Sequence, residues 1–185
     1  MKNHSAPGFA LISILIFLSC SCQKEPVTSS GSSLYLDASS YELKNAYYTN
    51  NWGSHSNMGG ELILTGPTIY FDGPTGFFNS SGKSAFVIII NSELDQLKSG
   101  DYDLSPNQTI IQVDASPKPT DSVGVKSALR PVGDLIEGKM KITEKNGVMA
   151  IEITGACYVN KVRTVLNITF TGSVSKIPEP YHLKN

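Results

Sequence analysis

Cysteine and histidine are scarce in this 185-residue chain, three of each, and their scarcity removes several chemistries at once. Cys20 and Cys22 close an apolar leader, which leaves Cys157 alone in the remainder and excludes a disulfide framework. His55 lies in a Gly/Asn/Ser-rich loop and His182 in a tail, Pro178-Glu179-Pro180-Tyr181-His182. Neither has a His or Cys neighbour at zinc-ligand spacing, and no Gly-x-Ser-x-Gly elbow exists to give His55 a nucleophile. Basic runs are missing too. Once Lys2 is set aside with the leader, 14 Lys and Arg face 16 Asp and Glu, a net charge of −2, which argues against nucleic acid as a partner. No apolar run approaches the roughly 20 residues of a membrane-spanning helix. No catalytic residue, metal ligand or cofactor is expected.

What the chain does carry at its start is an address. A short basic opening (Met1-Lys2-Asn3-His4), an apolar stretch from Phe9 to Leu18 and then Ser19-Cys20-Ser21-Cys22 form an export signal. The small residues before a cysteine resemble the lipobox of bacterial lipoproteins, in which that cysteine is acylated and becomes the new N-terminus. Cys22 is the favoured attachment site and Cys20 the alternative. Cys22-Gln23-Lys24-Glu25 looks like the start of many Bacteroidota lipoproteins, whose residues after the cysteine direct surface export. Several acyl chains at about 0.8 kcal/mol per buried methylene would hold the chain firmly to a membrane. The expected organisation is a removed signal over 1–21, a flexible tether over 22–33, one β-domain over 34–177 and a tail over 178–185. The β-domain, roughly 150 residues, is large enough for one real core.

Strand signals dominate that domain. Val, Ile, Thr and Tyr cluster in runs separated by Gly, Pro, Asn and Asp. Strands are expected near 34–37, 41–49, 61–71 (broken at Gly66-Pro67), 84–91, 100–104, 109–114, 122–129, 134–145, 148–156 and 162–174. Asn146-Gly147 is a strong two-residue hairpin signal, because both residues tolerate positive φ. A turn there sets Ile142 opposite Ile151 and Met140 opposite Ile153 on one face. Lys141 then faces Glu152, and Thr143 faces Ala150, on the other. Turn chemistry and apolar alternation agree on this register. Leu166, Ile168 and Phe170 continue the pattern in a third strand, giving an antiparallel meander.

Ala85-Phe86-Val87-Ile88-Ile89-Ile90 is apolar on both faces. Such a strand is either central and covered on both sides, the favoured placement, or an edge facing a ligand or partner. Ser92-Glu93-Leu94-Asp95, with Lys98 and Gly100 beyond, matches the caps of one short helix. The fold class expected is therefore all-β: a single antiparallel β-barrel or a two-sheet β-sandwich, with one short helix. The C-terminal meander favours the barrel. The lipoprotein start, Gly100-Asp101-Tyr102-Asp103-Leu104, and the closing Asn167-Ile168-Thr169-Phe170-Thr171-Gly172 resemble small Bacteroidota lipoproteins. Several of these are lipocalin-like (calycin-like) β-barrels. The resemblance implies a cell outer membrane location through the lipid anchor and carries over no functional residue beyond the acylated cysteine.

Binding clues are confined to aromatics on Gly-rich loops. Tyr48, with Tyr47 and Trp52, and the pair Phe77-Phe78 could stack on a glycan or cap an apolar ligand, or fold inward and plug one end of the domain. Asp101, Asp103, Ser105, Asn107 and Gln112 echo a calcium loop, but Pro106 stands where a Gly is needed and the bidentate Glu is missing, so a solvent-facing strand is expected. Cys157 reads as a small buried hydrophobe. Asp121-Ser122-Val123 resembles the Asp-Ser/Thr-apolar pattern of Bacteroidota O-glycosylation sites. Together these readings point to a lipid-anchored envelope protein that binds a small apolar molecule, a glycan or an envelope protein without catalysis. A structural or assembly subunit of an outer-membrane complex is the alternative.

Overall fold

The computed structural model describes residues 31–36, 38–50, 59–74, 76–94, 96–104, 109–113, 130–159 and 161–177, with only the backbone at 77, 109–113 and 130–134. Thirteen strands are present among them: β1 (Ser33–Leu36), β2 (Ser39–Glu42), β3 (Asn45–Thr49), β4 (Gly60–Thr65), β5 (Ile69–Asp72), β6 (Phe77–Ser80), β7 (Phe86–Asn91), β8 (Gly100–Leu104), β9 (Thr109–Val113), β10 (Arg130–Lys145), β11 (Val148–Val159), β12 (Val162–Gly172) and β13 (Val174–Lys176). Eleven form one continuous ladder in the order β13-β3-β4-β7-β9-β10-β11-β12-β1-β2, with β8 also on β10, and β5-β6 is a separate hairpin.

The meander β10-β11-β12 follows the turn-and-alternation logic. Asn146 and Gly147 have φ of 55° and 75°, the left-handed region a tight hairpin requires. Ile142 pairs with Ile151, Met140 with Ile153, Lys141 with Glu152 and Thr143 with Ala150. The next strand continues the face, with Ile151 on Phe170 and Ile153 on Ile168. A register shift between Leu135 and Glu137 bends β10, and its earlier residues pair instead with β9.

That bend divides the ladder into two sheets. Sheet I holds β8, the later part of β10, β11, β12, β1 and β2. Sheet II holds β13, β3, β4, β7, β9 and the start of β10. The chain crosses between them again at Leu43 and Lys44. The Leu43 N–H donates to Ser32 in sheet I, and the Lys44 N–H to Thr65 in sheet II. Strands that change sheet in this way form the corners of a sandwich. The strands at the two ends of the ladder, β13 and β2, each have one ladder partner. No closed barrel forms among the described residues, and the two-sheet alternative is the compatible one.

The space between the sheets is filled by side chains. Leu34, Met140, Ile151, Ile153, Leu166 and Ile168 of sheet I share one buried cluster with Leu62, Leu64, Val87 and Ile89 of sheet II. The opposite face of sheet II is also apolar. Ile63, Phe86, Ile88 and Ile90 pack there under Ile69 and Phe78 of the β5-β6 hairpin, with Ile177. This third layer explains the double-sided apolar run. β7 lies between β4 and β9, so it is a covered central strand and not an edge.

No helix occurs among the described residues, and the expected short helix after Ser92 is replaced by a turn. The Asn91 side chain accepts from the Glu93 N–H at 2.8 Å, and the Leu94 N–H reaches back to the Asn91 carbonyl at 3.0 Å. A side chain that bonds its own nearby backbone competes with helix formation. The Leu94 carbonyl, which a helix would aim at the Lys98 N–H, accepts instead from the Tyr48 hydroxyl at 2.7 Å. The expected strand over 122–129 lies outside the described residues, and β6 forms within the segment expected to be a Gly-rich loop.

Candidate functional site

Among the described residues, a recess opens at one end of the two sheets, where they meet. It is an open cleft of about 300 Å³ lined by Tyr48, Asn50, Gln96, Leu97, Met149, Val174 and Lys176. That volume lies at the low end of ligand pockets, roughly 300–1,000 Å³. Its floor is apolar: Leu97, Met149 and Val174 are partly buried against the main core. Asn50, Gln96 and Lys176 are exposed at the rim.

Three local arrangements build it. Met149 is the second residue of β11 after the Asn146-Gly147 turn and pairs with Gly172 at the end of β12. Just beyond Gly172 the chain enters β13, which runs parallel to β3 and sets Val174 beside Ala46 and Lys176 beside Tyr48. The third wall is the turn carrying Leu94, Gln96 and Leu97. Gly60 lets that turn lie directly on β4, since a Cβ there would overlap the Leu94 carbonyl. Leu94 is itself fully buried.

The chemistry available is that of a binding surface. Lys176 supplies a cation, and the Asn50 and Gln96 amides both donate and accept. The Tyr48 hydroxyl donates to Leu94, so Tyr48 contributes its ring to the wall. An apolar floor with a few polar groups at its mouth suits a ligand with an apolar body and an anionic or acceptor end.

No protein-family model matches this chain, and no curated protein or solved structure matches it either.

Of the residues the sequence singled out, Tyr48 lines the cleft and is 7% exposed. Phe78 is buried in the outer layer, within an aromatic cluster with Tyr47, Phe71 and Phe86 at centroid distances of 5.2, 5.3 and 5.5 Å. The Phe71 N–H donates to the Tyr47 hydroxyl at 3.2 Å. Tyr48 and Phe78 thus lie on opposite faces of sheet II and do not meet. Trp52, Cys20, Cys22, His55, Ser122 and His182 lie outside the described residues, as does the side chain of Phe77. Asp101 and Asp103 are exposed on β8, and no group of three His, Cys, Asp or Glu forms a candidate metal site among the described residues. Cys157 is buried in the main core, and burial pushes its thiol above the ordinary value.

Sequence reasoning missed Asn50, Gln96, Leu97, Met149, Val174 and Lys176. Met149 was legible as a core-side residue next to a hairpin. Nothing local indicates that a parallel strand would bring Lys176 beside Tyr48.

Proposed function

We propose that this chain is a lipid-anchored lipoprotein of the cell outer membrane, acylated on Cys22 with Cys20 as the alternative. Its β-domain holds a small, largely apolar molecule without transforming it. The observation that carries the binding role is the end cleft, an apolar floor rimmed by one ammonium and two amides. The filled inter-sheet core favours a ligand held at the end of the sandwich over one enclosed within it.

Two measurements test this. Cys22→Ser and Cys20→Ser, each labelled with radioactive palmitate, should show loss of label for Cys22→Ser alone. Lipid extracts of the purified protein should contain a bound molecule that Met149→Trp, which fills the cleft, expels without lowering the melting temperature. Labelling that survives both cysteine variants, or a ligand unaffected by Met149→Trp, counts against the reading.

An envelope protein or glycan partner, or an assembly role, draws support from a different surface. Tyr35, Tyr158 and Val165 are exposed apolar residues on the outer face of sheet I. Beside them Arg163 and Glu137 form a solvent-exposed ion pair. With β7 covered on both sides, this face is the alternative contact surface. A binding-defective Val165→Asp variant with an intact cleft ligand would favour it.

A further inference from the structure

The tether and the cleft share one end of the sandwich. At the start of β1 the Thr171 N–H donates to the Ser32 hydroxyl at 2.8 Å, and the Thr169 hydroxyl donates to the Gly31 carbonyl. Ser33 pairs with Thr169. The tether therefore joins the domain beside the last residues of β12, where Gly172 pairs with the cleft residue Met149. The hairpin between β11 and β12 lies at the other end of those strands, with Val159 paired to Val162. At about 3.3 Å per residue the eleven residues of β12 separate the two ends by roughly 35 Å.

We propose that the cleft takes part of a single anionic lipid from the bilayer that carries the anchor, with the acyl chain on the apolar floor and the headgroup on Lys176. This inference rests on the anchoring reading above. From Cys22 to Gly31 the chain can reach about 30 Å at full extension, so the cleft end lies within that distance of the membrane. The β11-β12 hairpin is the distal end. The cleft also has the polarity a membrane lipid presents. Leu97, Met149 and Val174 line the interior, and the ammonium of Lys176 with the Asn50 and Gln96 amides sits at the mouth. Its volume accommodates about ten water-sized units. That is enough for part of one chain, so the remainder of the lipid stays in the bilayer.

Site-specific photocrosslinking in the full, membrane-borne chain tests this. Benzoylphenylalanine is placed at Leu97, at Gln96 as a second position should the Leu97 substitution unfold the chain, and at Val162 as the distal control. After irradiation of intact membranes, adducts are read by mass spectrometry. The cleft positions should carry phospholipid-mass adducts at least about tenfold above Val162, and Lys176→Glu should reduce the yield by a similar factor. Equal lipid yields at Val162 and at the cleft overturn the inference. Absence of lipid adducts from the cleft of a chain that sediments with membranes overturns it while leaving anchoring intact. Adducts of a water-soluble metabolite, in place of any membrane lipid, overturn the bilayer source. A chain found in the soluble fraction overturns the anchoring reading and this inference together.

Discussion

The C-terminal meander and sheet II are built from the same residue types but reach their structures by different routes. In β10-β11-β12 each strand pairs with its neighbour in sequence, and one face of each is apolar. In sheet II the pairings skip. β4 finds β7 across an intervening hairpin, and β3 finds β13 in parallel from far along the chain. The meander is specified by local turn chemistry and alternation. Sheet II is specified by burial on two faces, a signal that names no partner. The cleft lies where these two regions meet, and this is why its lining is spread from Tyr48 to Lys176.

The largest expected effect comes from breaking the double-sided layer. Phe86 is fully buried beneath the β5-β6 hairpin and stacks edge-on to Phe78, so Phe86→Ala should cost about 3–5 kcal/mol in urea unfolding. It should also expose the hairpin to proteolysis at lower urea than the meander. If Phe86→Ala costs less than about 1 kcal/mol, the hairpin is not part of the core.

In the meander the turn carries more than any charge on it. Gly147 has φ of 75°, and Gly147→Ala should cost about 1–2 kcal/mol through the left-handed backbone alone. Lys141 and Glu152 face each other on the exposed side. A double-mutant cycle on that pair should return less than about 0.5 kcal/mol. A larger coupling would mean that charge, and not apolar alternation, sets the register.

Cys157 gives a pH test of the main core. Its buried thiol is held above the ordinary 9.0, so above that pH the unfolded chain ionises first and stability falls. Below it both states keep the proton, and the term vanishes. Cys157→Ala should flatten this alkaline loss relative to the parent chain, and dithionitrobenzoate should label the thiol only on unfolding. Rapid labelling of the folded chain would place the thiol at the surface.

Much of this architecture was legible from residues read in order. The Asn146-Gly147 turn and its flanking alternation specified a register that the structure reproduces pair by pair. Positions 100–104 were readable as a strand because Tyr102 and Leu104 alternate with aspartates. The turn after Ser92 was not. Its caps matched a helix, and the competing bonds come from Asn91 and from the distant Tyr48. The barrel-or-sandwich choice was equally illegible, since it depends on the bend in β10 and on crossings such as Leu43–Lys44, where backbone hydrogen bonds decide the path. For the site, Tyr48 was found through its aromatic ring, while its partners in the cleft required the fold.

Native mass spectrometry of the full chain, extracted from membranes under mild detergent, tests the central claim most directly. The account predicts a polypeptide beginning at Cys22, heavier by its acyl groups, carrying one further noncovalent molecule that Met149→Trp abolishes. A chain with an unmodified Cys22, or a bound molecule that persists when the cleft is filled, would contradict it.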